Sequence, residues 1–287
     1  MKQLNLYISG FKGFLVLKLC YYNNLKINKV YSYKSELNKK FFLEIKNYCS
    51  KNKLHFVDLN PKKIKTHLPS SSNLSFFIGW QYTMKNFNNI YIFHDSLLPS
   101  YSGHSPTVNA LINGEKKIGI SLFIPSKKID EGKILYQKSY SVKYPIKIEK
   151  VYNELTFLIY EVIYNIINKK KLDFKKNKYK KFYSIWRDEE DLNINWHKDK
   201  EYIERFVNAL DFPYNNARSN YKNKLIKIID CEIYDKLEFI NYHPGKIASI
   251  NKNKPLIMCK NGLIKINKAV YLTGKAVKFS FLRERLS

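Results

Sequence analysis

His94 and Asp130 are the two side chains in this sequence whose types and surroundings best suit proton transfer. His94 closes an apolar run, Ile90-Tyr91-Ile92-Phe93, and precedes the proline-bounded loop Ser96-Leu97-Leu98-Pro99. Asp130 falls in the turn Lys128-Ile129-Asp130-Glu131-Gly132, after a second apolar run. An imidazole titrates near neutrality and a carboxylate on an adjacent loop can hold its ring, so the pair reads as a general base with its orienting partner. On these residues alone a structural histidine stays open as well. Metal chemistry finds less support. Cys20, Cys49, Cys231 and Cys259 are far apart, with no CxxC pair and no Cys–His spacing that suits a metal, and read as reduced thiols.

The elements that must position this pair alternate between strand and helix. Gln3–Ser9 reads as a buried strand, followed by the turn Ser9-Gly10-Phe11-Lys12-Gly13 and a helix to Tyr22. Further strands are expected at Lys29–Tyr33, Leu54–Leu59, Ser75–Trp80 and Ile90–Asp95, and helices at Ser35–Ser50 and Thr107–Ile112. This alternation predicts an α/β fold with a mostly parallel sheet. His94 then stands at the carboxyl end of a parallel strand, where open α/β sheets bind their ligands. Gly119–Pro125 and Ile134–Val142 read as a hairpin-like addition, and Glu149–Asn168 as a long closing helix. Lys169–Lys181 reads as a solvated lysine-rich linker. From about residue 220, short β-like runs separated by turn signals such as His243-Pro244-Gly245 and Asn261-Gly262 predict a small β-rich domain, a barrel being one form. The expected domains are 1–182, a linker over 183–202, and 203–287.

The chain has 287 residues, 45% apolar and 15% aromatic, so it can bury a real core. Its net charge of +27 comes from lysines scattered along nearly every segment together with many Asn, Ile and Tyr. Such scatter fits compositional drift better than a nucleic-acid footprint, which clusters its charge, although the positive field suits an anionic small substrate. The opening MKQLNLYISG lacks the apolar run of a signal peptide, and no stretch approaches 18 apolar residues. A soluble, cytoplasmic protein is expected.

The combined pattern is more specific than any single residue in it. His94-x-Ser96-Leu97-Leu98-Pro99 is followed by Tyr101-x-Gly103, Pro106, Ala110, Gly114 and Gly119, then by Asp130-x-Gly132 and Gln137. This order and spacing closely resemble the N10-formyltetrahydrofolate-dependent formyltransferases, over roughly residues 75–140. Asn208-Ala209-Leu210-Asp211-x-Pro213-Tyr214 resembles the segment that opens the C-terminal domain in the methionyl-tRNA and nucleotide-sugar branches. The resemblance implies a Rossmann-like formyltransferase domain followed by a small β-rich one, with N10-formyltetrahydrofolate as co-substrate and no metal. It implies His94 as the base and Asp130 as the group that holds the imidazole and raises its pKa. Tyr82, Thr83 and Met84, the loop Ser126, Lys127, Lys128, Ile129 and Asp130, and His104 would line the folate site, with Trp80 a core residue nearby.

One position departs from the family. Its triad asparagine, two residues before the histidine, is here Ile92, which cannot donate to a developing oxyanion. Another donor (a nearby Asn, the His94 imidazolium or a backbone N–H), a shifted strand, or feeble catalysis would each account for it. The basic insertion after the second strand that marks methionyl-tRNA enzymes is also missing, since Lys29–Ser35 runs straight into the next helix. The resemblance therefore implies a nucleotide-linked amino sugar as acceptor, in surface-glycan synthesis, with the Gly10–Gly13 turn near its phosphate. Methionyl-tRNA formylation, which the charge would suit, and a non-catalytic degenerate formyltransferase fold remain the alternatives. The β-rich domain offers a surface for a homodimer.

Overall fold

The structure is a computed structural model that describes residues 3–36, 38–60, 73–82, 89–126, 130–172, 179–280 and 282–287. The described chain divides into two compact units. The first comprises Met1–Pro106, Lys117–Ser141 and Tyr152–Ser184, and the second Thr107–Lys116, Val142–Val151 and Ile185–Ser287.

In the first unit the strands are β1 (Leu4–Ile8), β2 (Ile27–Ser32), β3 (Phe56–Asp58), β4 (Leu74–Ile78) and β5 (Ile90–His94). They are joined by β7 (Lys117–Ile124) and β8 (Lys133–Ser141) in one seven-stranded sheet of order β3-β2-β1-β4-β5-β7-β8. Pairing is parallel from β3 through β5, while β7 and β8 add antiparallel. The mostly parallel sheet and late hairpin expected from the sequence are therefore present. β1 and β4 are buried along their whole length, as central parallel strands must be when both faces are covered. α1 (Gly10–Tyr22) starts at the glycine expected to lie in a turn, so Lys12 sits in its first turn. α2 (Lys39–Lys51) buries Phe41, Phe42, Ile45 and Cys49, one stripe at helical spacing, each such side chain contributing roughly 1.5–3 kcal/mol. A two-stranded pair, β6 (Ser102–Gly103) with β9 (Tyr183–Ser184), pins the loop beyond β5.

The second unit centres on five antiparallel strands, β10 (Ala217–Tyr221), β11 (Lys224–Tyr234), β12 (Ile247–Asn251), β13 (Lys254–Met258) and β14 (Leu263–Tyr271). Their order is β10-β11-β14-β13-β12. The turns between β10 and β11 and between β12 and β13 are each Lys-Asn with positive φ at both residues, the primed hairpin turn that matches strand twist. Residues 284–287 bridge the two edge strands: Asn220 N–H donates to the Ser287 carbonyl at 2.6 Å and Ile247 N–H to that of Glu284 at 3.2 Å. The expected β-rich domain is thus closed in the manner of a barrel.

Helix α3 (Pro106–Ile112) precedes β7, helix α4 (Ile148–Ile167) follows β8, and α5 (Lys200–Ala209) packs on β11 and β14. Residues 183–202, read from sequence as a linker, hold β9, a 3-10 turn at Glu190–Leu192 and the start of α5. Segments 107–116 and 142–151 cluster with α5 because Arg205 Nε donates to the Ile112 carbonyl at 3.0 Å and Lys147 pairs with Asp211 at 2.8 Å.

Candidate active site

β5 carries His94 to its carboxyl end, paired with Ser121 of β7, and the ring is 9% exposed. The Nε2 atom lies 2.8 Å from the carbonyl oxygen of Tyr101. A carbonyl only accepts, so Nε2 bears the proton and the neutral ring keeps its lone pair on Nδ1. That Nδ1 stands 3.7 Å from Oδ2 of Asp130, whose same oxygen accepts the Gly103 N–H at 2.7 Å. Gly103 has φ +101°, and a Cβ there would fall 2.5 Å from the Ser184 carbonyl oxygen, so only glycine lets this amide turn toward Asp130.

Burial holds the His94 pKa below its usual 6.5. Asp130 and the Tyr101 carbonyl pull upward, and the charges of Lys12 and His104 push further down. The net rise expected from Asp130 is therefore a net fall, because desolvation of a nearly enclosed imidazole outweighs one neighbouring carboxylate. The neutral ring thus presents its Nδ1 lone pair 3.7 Å from Asp130 Oδ2.

The loop leaving His94 is fixed by Ser121 and Gln137, which follow His94 in one register row across β5, β7 and β8. Ser121 Oγ donates to the Ser96 carbonyl at 2.6 Å and accepts from Leu98 N–H at 2.9 Å and Gln137 Nε2 at 2.8 Å. Gln137 also donates to the Leu98 carbonyl at 2.8 Å. Ser121 was not among the residues singled out from sequence. The signal was there, however: a hydroxyl inside the otherwise apolar run of β7.

Lys12 and Asp95 form an ion pair with each side chain about 11% exposed, and the Lys12 ammonium lies 4.5 Å from the centre of the Tyr152 ring. Burial pushes the Lys12 pKa down to about 7. By strand alternation Asp95 falls on the opposite face from His94, the side that α1 and Tyr152 cover.

On the His94 face Ile92 lies within an apolar row. Val57, Tyr31, Tyr7, Phe77 and Ile92 are successive register partners, and Phe123 follows Ile92 on β7. Tyr7 stacks on Tyr31 at 4.3 Å and on Phe77 at 4.2 Å. Pairing of β5 with both neighbours runs without a shift, so Ile92 itself is the residue that faces inward beside His94. Trp80 folds over the row, edge-on to Tyr7, Tyr33 and Phe77, and Tyr82 stands edge-on to Tyr33 at 4.8 Å.

Of the other residues expected at the site, Tyr82 is half-buried in this aromatic cluster. His104 is exposed, with its N–H on the Ser184 carbonyl at 3.0 Å, and Ser126 is exposed. Thr83, Met84, Lys127, Lys128 and Ile129 lie outside the described residues. Among the described residues no His, Cys, Asp and Glu group could hold a metal ion, and no helix is long and apolar enough to cross a membrane.

A mostly parallel sheet with a buried His–Asp pair past its strand ends, followed by a small closed antiparallel sheet, defines a class of two-part α/β group-transfer proteins. Comparison with known proteins narrows it. Residues 77–167 match the family model "Formyl transferase" and residues 187–285 "Formyl transferase, C-terminal domain". The methionyl-tRNA formyltransferase of Thermosipho melanesiensis is 30% identical over 185 residues, which are 64% of this chain and 60% of that one. The alignment thus spans less than two thirds of that relative's length. Among solved structures, the sugar 3N-formyl transferase WlaRD, crystallised with dTDP and 5-N-formyl-THF, has TM-score 0.64 at 20% identity over 98% of this chain and 99% of its own. An N-formyltransferase from Helicobacter canadensis, in complex with folinic acid and dTDP-3-aminofucose, has TM-score 0.61 at 19% identity, covering 93% and 99%. The chain belongs to the formyl transferase family.

Proposed function

We propose that this protein transfers the formyl group of N10-formyltetrahydrofolate to the amine of a nucleotide-linked amino sugar. The observation that carries the acceptor is the direct passage from β2 to α2, only residues 33–38, which leaves no room for a basic arm that would grip a tRNA acceptor stem. The end-to-end likeness of fold to two sugar N-formyltransferases agrees with it.

In this reading the acceptor enters as the neutral amine, with an N–H directed between Nδ1 of His94 and Oδ2 of Asp130. The amine nitrogen bonds to the formyl carbon, its proton passes to Nδ1, and the carbonyl oxygen takes up the negative charge. Collapse of that intermediate breaks the bond to N10, and His94 returns the proton to the departing nitrogen. Asp130 stabilises the transient imidazolium, and the low pKa of His94 keeps it ready as a base at neutral pH. Holding donor and acceptor together supplies the orientation term. Tyr82, Thr83, Met84 and the loop Ser126–Asp130 are proposed to receive the folate.

Methionyl-tRNA formylation is the second reading, favoured by the names of the sequence relatives and by the net charge of +27. Incubating the protein with N10-formyltetrahydrofolate and either nucleotide-linked 3-amino and 4-amino sugars or charged initiator tRNA separates the two. Transfer to sugar alone is expected. Transfer to tRNA alone overturns the acceptor, and folate binding without transfer to any amine overturns catalysis.

A further inference from the structure

The neutral His94 ring carries one proton, and two acceptors compete for it. The Tyr101 carbonyl oxygen lies 2.8 Å from Nε2, and Oδ2 of Asp130 lies 3.7 Å from Nδ1. A carboxylate attracts a proton more strongly than a neutral carbonyl, so a ring left to Asp130 alone would carry it on Nδ1. Nδ1 is the atom that must be bare for the ring to act as base beside Asp130. Whatever fixes the Tyr101 carbonyl therefore decides where the proton sits.

That carbonyl belongs to the segment 100–104, whose backbone is strained: Tyr101 has φ +53° and Gly103 has φ +101°. A non-glycine residue in the left-handed region persists only where its surroundings over-determine it. Here the surroundings are residues 180–184. The Ser100 hydroxyl donates to the Lys180 carbonyl at 2.7 Å, Ser102 N–H to that of Phe182 at 3.1 Å, and His104 N–H to that of Ser184 at 3.0 Å. Residues 100, 102 and 104 thus face this strap, while the two between them serve the candidate base and its partner. The Tyr101 carbonyl takes the His94 proton, and Gly103 N–H donates to Asp130 Oδ2 at 2.7 Å. The half-buried Phe182 ring stands edge-on to that of Tyr101 at 4.5 Å. Lys181 pairs with Glu131 at 2.8 Å, which ties the Asp130 turn to the same strap. Residues that read from sequence as linker therefore brace both halves of the His94–Asp130 pair.

We propose that residues 180–184 act as a latch that keeps the His94 proton on Nε2, with Phe182 as a positioning residue. What the bare Nδ1 then does rests on the formyl-transfer reading above, but the position of the proton is observable without turnover.

The test labels the histidines of the full chain with a nitrogen isotope and records the imidazole nitrogens at pH 8, where burial keeps His94 neutral. Wild type, Phe182→Ala and Phe182→Tyr are compared, the His94 signals being those absent from His94→Gln. Wild type is expected to show Nε2 protonated and Nδ1 bare. Phe182→Ala is expected to show a substantial share of rings protonated on Nδ1, and Phe182→Tyr, which keeps the ring, the wild-type pattern. With formyl-folate and the acceptor found as above, kcat of Phe182→Ala is expected to fall roughly 10- to 100-fold, with both KM values within about 3-fold. A wild-type ring protonated on Nδ1, or a Phe182→Ala ring that stays wholly on Nε2, overturns the inference while formyl transfer stands. A wild type inactive toward every amine overturns formyl transfer, and the nitrogen signals still decide the latch. Should Phe182→Ala lose its circular dichroism signature, the surface change Ser100→Ala decides, since it removes one of the three bonds to the strap. A partial move of the proton to Nδ1 supports the latch, and an unmoved proton overturns it.

Discussion

The ion pair between Lys12 and Asp95 is a buried pair beside the candidate base, and its energetics can be worked out in advance. Each side chain is about 11% exposed, so neither charge has much water to fall back on. Lys12→Met keeps the stem and deletes the ammonium, removing the cation paired with the Asp95 carboxylate. Removing one partner of such a pair costs about 3–5 kcal/mol, whereas replacing both with uncharged groups of similar size is often near neutral. The double variant Lys12→Met, Asp95→Asn is therefore expected within about 1 kcal/mol of wild type, with a coupling energy of at least about 2 kcal/mol. Urea unfolding followed by circular dichroism measures the cycle. It should be run at pH 6, below the value of about 7 to which burial pushes Lys12, so that the ammonium is charged in the folded state. Above that value the folded-state lysine gives up its proton and the attraction goes with it, so the coupling at pH 9 is expected to be smaller. Additive single variants, or a coupling that does not shrink with pH, would refute the description of Lys12 and Asp95 as a buried charged pair.

Three further outcomes are expected. His94→Ala should lower formyl transfer by roughly 100- to 10,000-fold with the fold intact. In wild type kcat/KM should be level near pH 7 and fall only below 6.5, where the imidazole gains its proton, and Asp130→Asn should move that limb lower still because Asp130 is the largest upward pull on His94. Ser121→Ala strips the Leu98 N–H and Gln137 of a buried partner, and chemical denaturation should register a loss of about 1–3 kcal/mol. Gly103→Ala forces a Cβ onto the Ser184 carbonyl at a positive φ; a stability loss above about 1 kcal/mol and a fall in kcat from a displaced Asp130 are expected, and a variant that crystallises with the 2.7 Å contact from residue 103 to Asp130 intact and full activity would contradict this.

Much of the frame could be read from the sequence, because strand and helix periods and the spacing around His94 are local properties. β1, β2, β4 and β5 lie within a residue or two of their expected places, and the late β7–β8 hairpin is where the apolar runs put it. What depends on which strands become neighbours could not be read. Lys12 and Asp95 are remote in sequence and meet only because β1 and β5 flank β4. The place of Ile92 in a cross-strand apolar row, between Phe77 and Phe123, emerges only from the register. The fall in the His94 pKa is likewise a consequence of enclosure, which spacing does not report. In the second unit the two Lys-Asn turns are hard to read from sequence because lysine rarely takes a positive φ, so Lys222 and Lys252 do not signal a primed turn.

The hydrogen bond that orients His94 ends on the main-chain carbonyl of Tyr101, and this makes it nearly invisible to genetics. Every substitution at Tyr101 keeps that oxygen, so a scan of single replacements would report the packing of the buried ring against Phe182 and not the contact that holds the base. At that position, only a change to the peptide unit itself, such as an ester between Tyr101 and Ser102 that weakens the acceptor, would expose it. The orientation of the base can in this way outlast wide sequence drift in the loop around it, provided the loop keeps its path.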